Sequence, residues 1–196
     1  LFDRSKYPSM KKELGIKPNT IVCIYAGKIG GIYLEDEVFV FWKHCSLIFE
    51  DFKVIFLSNY SNNEFQQKLK LHGLDESTVI KKFVPYTEVP KYMAQADFAI
   101  NPVKPVPTKR HCTSIKDGEY WAMGLPVVIT KDISDDSALI SDTNLGVVIE
   151  NYNEEGLKKA DCRLYQALKS DGREERSPSA LQQSHRLRLR SRKLIF

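Results

Sequence analysis

The feature that most constrains the fold is a regular alternation of short apolar runs with longer segments whose apolar residues recur at helical spacing. Six runs are predicted to be strands: 20–26, 53–57, 78–83, 97–100, 126–129 and 146–149. Predicted helices follow them at 35–49, 62–71, 87–96, 115–123, 135–141 and 153–160. Strands that alternate with helices in this way indicate βαβ units. Because βαβ crossovers are right-handed, we predict an α/β fold with a doubly wound, Rossmann-like parallel sheet of about six strands and helices on both faces.

The length and composition fit a single globular domain. The chain has 196 residues, of which 42% are hydrophobic, an ordinary share for a soluble protein with a full core. No apolar run approaches the roughly 20 residues that a membrane helix needs. The first residues contain neither an initiator Met nor the apolar core of a signal peptide. We therefore expect a piece of a longer, cytoplasmic protein.

The excess of basic residues is confined to the end of the chain. Residues 161–196 hold nine Lys or Arg and four acids, which leaves 20 basic and 21 acidic residues in 1–160. The stretch 184–193 alternates Leu with Arg and has no apolar face at helical spacing. We place the domain at 1–160 and interpret 161–196 as a basic tail, disordered or non-native. An edge strand and a nucleic-acid-binding arm are the alternatives.

The segment 113–130, TSIKDGEYWAMGLPVVIT, joins a predicted helix to a predicted strand. The helix over 115–123 ends before Gly124, and glycine suits the left-handed conformation that follows many helices. The run 127–129 is apolar on both faces, which is typical of a parallel strand covered by helices on each side. Glu119 is therefore expected on the wall of the crevice at the sheet edge, where open α/β folds bind ligands.

This segment resembles the signature K-x-x-E-Y-x-A-x-G-x-P-V-V in the C-terminal half of retaining GT-B glycosyltransferases, the group 1 family that uses nucleotide-sugar donors. Eight residues fall on the pattern: Lys116, Glu119, Tyr120, Ala122, Gly124, Pro126, Val127 and Val128. The resemblance covers roughly residues 1–160 and implies a domain that binds a nucleotide-diphosphate sugar, the donor in a transfer reaction. It implies that an acceptor glycan or lipid binds through an N-terminal domain that this chain lacks, so that the chain alone is inactive.

The same resemblance sets expectations for other ligands and partners. It implies no metal and no cofactor besides the donor, and no specific nucleic-acid partner. It leaves open a peripheral association of the full-length enzyme with a membrane, and it implies a role in polysaccharide biosynthesis.

A glycine-rich turn, Gly27-Lys28-Ile29-Gly30-Gly31, follows the first predicted strand. Glycines at such a turn let the backbone approach a diphosphate, although the spacing is not G-x-G-x-x-G. Lys28 lies where the family usually has Arg. The second basic residue that the family pattern expects falls on Tyr33, so one phosphate contact is missing or supplied from elsewhere.

Lys116 and Glu119 lie one helical turn apart on the same face. By resemblance, Glu119 is the second acid of the family's E-x7-E pattern and accepts hydrogen bonds from the donor's ribose hydroxyls; a solvated helix acid is the alternative. Lys116 is expected either to pair with a donor phosphate or to form an ion pair with Glu119. The first acid of the pattern falls on His111, a departure that puts the sugar, and even transferase activity, in doubt.

Val84, Pro85 and Tyr86 follow the third predicted strand, where the family binds the base. Tyr86 is a candidate stacking platform for the base, and a half-buried loop aromatic is the alternative. We identify no catalytic residue. The predicted donor-binding residues are Gly27, Lys28, Gly30, Val84, Tyr86, His111, Lys116 and Glu119.

Three other functions remain open at this point. A GT-B-shaped sugar-nucleotide 2-epimerase would need catalytic acids and a histidine in the crevice, a role that His111 is able to fill. A non-catalytic nucleotide-binding module would explain the departures at His111 and Tyr33. A nicotinamide-binding Rossmann domain is disfavoured because its fingerprint glycines and the following acid are absent from this sequence.

Overall fold

All six predicted strands form and pair side by side in one parallel sheet. The computed structural model describes residues 1–111, 114–143 and 145–170. The strands are β1 (Ile21–Ala26), β2 (Phe52–Leu57), β3 (Val79–Lys82), β4 (Phe98–Asn101), β5 (Val127–Thr130) and β6 (Gly146–Ile149). The helices are α1 (Asp36–Ile48), α2 (Asn62–Leu71), α3 (Val89–Met93), α4 (Ile115–Ala122), α5 (Asp136–Asp142) and α6 (Glu154–Ser170). The predicted α/β fold is confirmed.

The strand order is β3-β2-β1-β4-β5-β6, so the winding direction reverses between β1 and β4. Ala26, the last residue of β1, pairs with Leu57 at the end of β2, and Ile24 pairs with Ala99 of β4. Helices that follow strands on opposite sides of such a switch point diverge, which opens a crevice at the carboxyl ends of the strands. The topology therefore places a candidate site beside Ala26.

Two apolar layers cover the sheet, one on each face. Side chains of α1, α2 and α6 form the first layer, which includes Phe39, Phe65 and Leu164. The second layer combines side chains of α3, α4 and α5, including Met93, Trp121 and Ile140. This division into two groups of helices is what a doubly wound sheet requires. No helix in the described ranges is both long and apolar enough to cross a membrane.

The helix between β3 and β4 differs from its prediction. The helix predicted over 87–96 is shorter in the structure, since Tyr86–Glu88 form a 3-10 turn and α3 covers only Val89–Met93. Pro90 lies in the first turn of α3, the place where a helix tolerates the missing N–H of proline. Ser61 caps α2: its hydroxyl oxygen accepts a hydrogen bond from the Glu64 N–H at 3.4 Å.

The last helix is longer than predicted, and this corrects the boundary drawn after Ala160. Helix α6 continues to Ser170 and buries Leu157, Ala160 and Leu164 against the first layer, with Leu164 only 1% exposed. These residues recur at spacings of three and four, the pattern of a helix that packs on one side. The predicted domain of 1–160 is therefore too short by at least one helical turn. The remainder of the predicted tail, 171–196, lies outside the described residues.

Candidate functional site

A cavity of about 380 Å³ lies at the carboxyl ends of β1, β2 and β3, beside α4. Its lining comprises Ala26, Gly27, Leu57, Phe83, Val84, Pro85, Tyr86, Val89, Lys116 and Glu119. The lining includes five of the predicted donor-binding residues: Gly27, Val84, Tyr86, Lys116 and Glu119. Residues that are separated by up to 92 positions in the sequence thus meet at the edge of the sheet that the topology marks as a ligand site.

A larger cavity, of about 700 Å³, lies at the other end of the sheet, near Ile21 and Asp51. It is lined partly by Tyr165 and Leu168 of α6. Because open parallel sheets bind their ligands outside the carboxyl ends of the strands, size alone does not make this cavity the better candidate. We take the smaller one, which we call the crevice, as the candidate site.

Helix α4 presents Lys116 and Glu119 to the crevice because its other face is anchored in the core. Tyr120 and Trp121 are buried; the Tyr120 hydroxyl accepts a hydrogen bond from the Ala26 N–H at 3.1 Å. The indole N–H of Trp121 donates to the Leu145 carbonyl at 3.1 Å. These bonds leave the half-buried Lys116 and Glu119, one turn apart, on the face of the crevice.

The end of α4 is set by Gly124, as predicted. Gly124 has a φ of +70°, in the region that residues with a Cβ rarely adopt. The N–H of the next residue, Leu125, donates to the Tyr120 carbonyl at 2.9 Å, and the Gly124 N–H donates to the Trp121 carbonyl at 2.9 Å. Such bonds close the last turn of a helix and lead directly into the next element, here β5.

The start of α4 is held by a buried polar network that the sequence did not reveal. The side-chain amide of Asn101, at the end of β4, donates to the Ser114 hydroxyl and to the Asp117 carboxylate, each at 2.8 Å. Asn101 and Asp117 are both fully buried. A polar residue directly before Pro102 was the only signal of this network in the sequence. The network ties the first turn of α4, and with it Lys116, to the sheet.

The Lys116 side chain passes directly over the backbone of Gly27. A Cβ at Gly27 would lie 2.9 Å from Lys116 Cε and 3.1 Å from the Tyr25 hydroxyl, so the Lys116 side chain would have to move to make room for it. Lys116 Nζ donates a hydrogen bond to the Tyr33 hydroxyl at 2.6 Å and lies 4.3 Å from the centre of the Tyr33 ring. The absence of a Cβ at position 27 therefore lets the Lys116 side chain lie against the backbone, a role that the sequence pattern attributed to a diphosphate alone.

Glu119 binds a tyrosine from the opposite wall of the crevice. The Tyr86 hydroxyl donates to Glu119 Oε1 at 2.5 Å, and this bond to a carboxylate raises the pKa of Tyr86 to about 12. The Tyr86 residue is 58% exposed, and its ring meets that of Phe2 edge to face at 5.8 Å. Tyr86 is therefore exposed, and the alternative interpretation of it as a half-buried loop aromatic is wrong.

Lys116 and Glu119 are thus each bound to a tyrosine, Tyr33 and Tyr86 respectively. All four residues lie in the described part of the chain, and there Lys116 and Glu119 form no ion pair with each other. The ion pair allowed by their spacing, one of the two predictions for Lys116, is therefore wrong. An ammonium group and a carboxylate remain on one wall of the crevice. The ammonium group has two further N–H groups for a ligand, and a ligand hydroxyl is able to replace Tyr86 at the carboxylate.

Three of the predicted donor-binding residues do not line the crevice: Lys28, Gly30 and His111. Lys28 is exposed, and its carbonyl accepts a hydrogen bond from the Tyr25 hydroxyl. Gly30 has a φ of +80°, so that its local role is to turn the loop. His111 is exposed at the end of a 3-10 turn, Pro107–His111.

The potential metal ligands are dispersed in the described part of the chain. Within 1–111, 114–143 and 145–170, no cluster of three or more His, Cys, Asp or Glu side chains is arranged to hold a metal ion. Among the acids at 132–136, Asp136 links α5 to the residue before α4, since its Oδ2 accepts a hydrogen bond from the Ser114 N–H at 3.4 Å.

Comparison with protein families gives a match over most of the chain. The model of the family described as Glycosyl transferases group 1 matches residues 21–167. A comparison with curated proteins finds no match. The matched range extends beyond Ala160 into the part of α6 that packs on the core.

Comparison with solved structures finds the same fold in glycosyltransferases. WaaG, described as a glycosyltransferase involved in lipopolysaccharide biosynthesis, superposes with a TM-score of 0.65 at 22% identity over 85% of this chain. The C-terminal domain of a group 1 family protein (LpcC) from Francisella tularensis gives 0.59 at 18% identity, over 86% of this chain and 88% of that one. The chain covers only 44% of the WaaG chain and 44% of a glycosyltransferase from Rickettsia africae. At these identities the likeness shows the fold.

Proposed function

The chain belongs to the glycosyl transferases group 1 family, and on this premise we propose that its crevice binds a nucleotide-diphosphate sugar, the donor of a sugar-transfer reaction. One observation carries the proposal. Lys116 and Glu119 lie one turn apart on α4 and both face a cavity at the carboxyl ends of the strands, beside a glycine backbone. In such a donor the diphosphate is bonded directly to the ribose. A cation one helical turn from a carboxylate that accepts from a diol is suited to bind these two neighbouring groups.

The diphosphate is assigned to the Gly27 side of the crevice. The Lys116 ammonium lies over Gly27, and the backbone there is free of a Cβ that would hold an anion away. A lysine next to a departing diphosphate stabilises the negative charge that grows on it during transfer. Lys28 is exposed at the same turn and adds positive charge from the solvent side.

The ribose and the base are assigned to the opposite side, near Glu119 and Tyr86. The two oxygens of a carboxylate accept hydrogen bonds from a vicinal diol. Phe83 and Tyr86 are 76% and 58% exposed, and both line the crevice together with Val84. Exposed aromatic faces beside an acceptor are suited to a nucleoside base.

The acceptor, in this proposal, binds to a second domain, and the present chain by itself transfers no sugar. No metal is required in this scheme, because Lys116 supplies the positive charge at the diphosphate. The 2-epimerase alternative is weakened, since the histidine on which it depended, His111, does not line the crevice.

Titration of the protein with UDP and with GDP, followed by NMR or calorimetry, tests the proposal. We expect binding in the high micromolar range or weaker, with shifts at 27, 84–86 and 116–119. Lys116→Met should weaken binding about tenfold to a hundredfold, the scale of a hydrogen bond to a charged group. Lys70→Met, which removes the same charge from an exposed position on α2, is the matched control.

Folded protein that binds neither nucleotide would disprove the site assignment. Equal losses in Lys116→Met and Lys70→Met would show that net charge, and not the crevice, attracts the nucleotide. An unchanged affinity in the presence of a chelator is expected, whereas a strict dependence on a divalent cation would contradict a metal-free site.

A further inference from the structure

Tyr33 makes two contacts with Lys116 that no other described residue makes. The hydroxyl oxygen accepts a hydrogen bond from Lys116 Nζ at 2.6 Å, and the ring centre lies 4.3 Å from the same nitrogen. A cation close to the face of a tyrosine ring is attracted by its negative quadrupole. The two contacts hold the ammonium group over the backbone of Gly27, where a Cβ would come within 3.3 Å of Lys116 Nζ.

The residues on both sides of Tyr33 are held by backbone hydrogen bonds. The Leu34 N–H donates to the Pro102 carbonyl at 2.7 Å, and the Lys104 N–H donates to the Ile32 carbonyl at 3.0 Å. These bonds frame an antiparallel bridge between Tyr33 and Val103. On the ring side, Tyr33 meets the buried Tyr25 edge to face at 6.5 Å. The backbone bonds and the ring contact therefore both restrain the Tyr33 side chain, whose hydroxyl contacts Lys116.

We propose that Tyr33 is a positioning residue of the crevice: its hydroxyl and its ring hold the Lys116 ammonium over Gly27, ready to bind a phosphate of the donor. This inference rests on the proposed function and deepens it. The family pattern expects a second basic residue near position 33, and here an aromatic residue lies there. Tyr33 thus fulfils the need for a phosphate contact indirectly, by fixing a lysine from another element.

The physical advantage is pre-organisation. A free lysine side chain has many rotamers, and ordering it when the ligand binds weakens the affinity. When Tyr33 orders Lys116 in the folded protein, that entropy has already been lost before the phosphate arrives. Only one N–H of the ammonium is used by the hydroxyl, so two remain to donate to a phosphate.

A double-mutant cycle tests the proposal in the presence of nucleotide. Tyr33→Phe keeps the ring and removes the hydroxyl, and it should weaken UDP binding about threefold to tenfold. It should leave the binding of uridine, which has no phosphate, unchanged. In a Lys116→Met background, Tyr33→Phe should have no further effect on UDP. Tyr60→Phe is the matched control, because it removes a hydroxyl that donates to Glu35 at 2.7 Å, outside the crevice lining.

A measurement without nucleotide keeps the proposal independent of the donor assignment. The rate at which an amine-acylating reagent labels Lys116, relative to Lys70, reports how firmly the ammonium is held. We expect Tyr33→Phe to raise this ratio at least about twofold and Tyr60→Phe to leave it unchanged. An unchanged ratio would overturn the positioning role even if no nucleotide binds. If UDP does bind, an undiminished Tyr33→Phe effect in the Lys116→Met background would overturn it as well.

Discussion

Two polar pairs in this protein each join a helix to a neighbouring element, yet their surroundings differ. His44 of α1 and Asp161 of α6 form what we call the seam pair, whose side chains are 18% and 14% exposed. Tyr86 and Glu119 form the crevice pair, at a cavity, with Tyr86 58% exposed. A polar pair enclosed by apolar packing supports the fold. A pair that faces a cavity is free to exchange one partner for a ligand.

The packing around the seam pair supports this distinction. Cys45 follows His44 in α1, and Ala160 precedes Asp161 in α6; both are core residues. Burial raises the pKa of Asp161, and His44 partly opposes that rise. Within the described residues, Asp161 Oδ1 is buried without a hydrogen-bond partner. Neither residue lines the crevice, so that disruption of the seam pair should change stability and not nucleotide binding.

The largest effect is expected from removing the α6 side of the seam. Truncation after Ala160 deletes Asp161 and the core residue Leu164, and it should destabilise the protein by about 4 kcal/mol or more, the scale of a large core deletion. Truncation after Ser170 leaves the described helix intact and should cost less than about 1 kcal/mol. Urea unfolding followed by circular dichroism measures both.

This pair of truncations has a clear contrary outcome. If both proteins unfold at the same urea concentration as the parent, α6 beyond Ala160 contributes nothing, and the boundary predicted from sequence is the better one. If the Ser170 truncation is the costly one, residues 171–196 contribute to stability.

The second-largest effect is expected from His44→Leu, which removes one partner of the seam pair. His44→Leu leaves Asp161 buried without its partner and should cost about 2 kcal/mol at pH 7. With the opposing influence of His44 removed, burial alone sets the pKa of Asp161, which is then raised further. A raised folded-state pKa favours the protonated form. The contribution of Asp161 is therefore intact below its unfolded pKa of about 4 and is lost as the pH rises through the folded value.

The loss in His44→Leu should therefore be larger at pH 7 than at pH 4, in denaturant unfolding at both values. His72→Leu is the control: its partner Asp36 is 53% exposed by side chain and keeps an ion pair with Lys68 at 2.8 Å. His72→Leu should lower the free energy of unfolding less than His44→Leu does, and its effect should depend less on pH. Equal losses at both pH values in His44→Leu would contradict the role given to buried Asp161.

The crevice pair is tested by Glu119→Gln, which should weaken UDP binding by about 1–3 kcal/mol. The amide keeps the size of the side chain but loses the charge and one acceptor. Stability should stay within about 0.5 kcal/mol, because Glu119 is not a core contact. Glu13→Gln, an exposed acid remote from α4 in the sequence, is the control in calorimetry. Unchanged affinity would leave Glu119 as the solvated acid of the alternative interpretation.

The sequence was most informative where one interaction dominates. Apolar runs such as 127–129 specify buried strands because both faces must be covered, and all six strands formed. Gly124 was recognisable because a positive φ leaves few other residues. Family spacing then identified Lys116 and Glu119 as neighbours on one helix, and the structure places both at the crevice.

The misses share a different physical cause. The partners of Lys116 and Glu119 come from loops far away in the sequence, Tyr33 and Tyr86, and no local pattern encodes which hydroxyl reaches which charge. Helix α6 was predicted too short although Leu157, Ala160 and Leu164 keep helical spacing. The boundary was placed where the basic excess begins, and only tertiary packing supplies the histidine that pairs with Asp161. Long-range pairing, and not local propensity, decided these positions.

The smallest effect is expected from Tyr86→Phe, which removes the hydroxyl of the crevice pair and keeps the ring. The Tyr86 hydroxyl occupies Glu119 Oε1, so a ribose must displace it; its loss should leave UDP affinity unchanged or raise it by about 0.5 kcal/mol. The pKa of Tyr86, about 12, keeps the hydroxyl protonated below pH 10, so the difference from the parent should be constant from pH 6 to about 9. Tyr7→Phe, which loses an exposed bond to the Leu1 carbonyl, is the control. A tenfold weakening in Tyr86→Phe alone would show instead that the hydroxyl binds the ligand directly, and the crevice pair would then be two ligand contacts and not one contact with a displaceable partner.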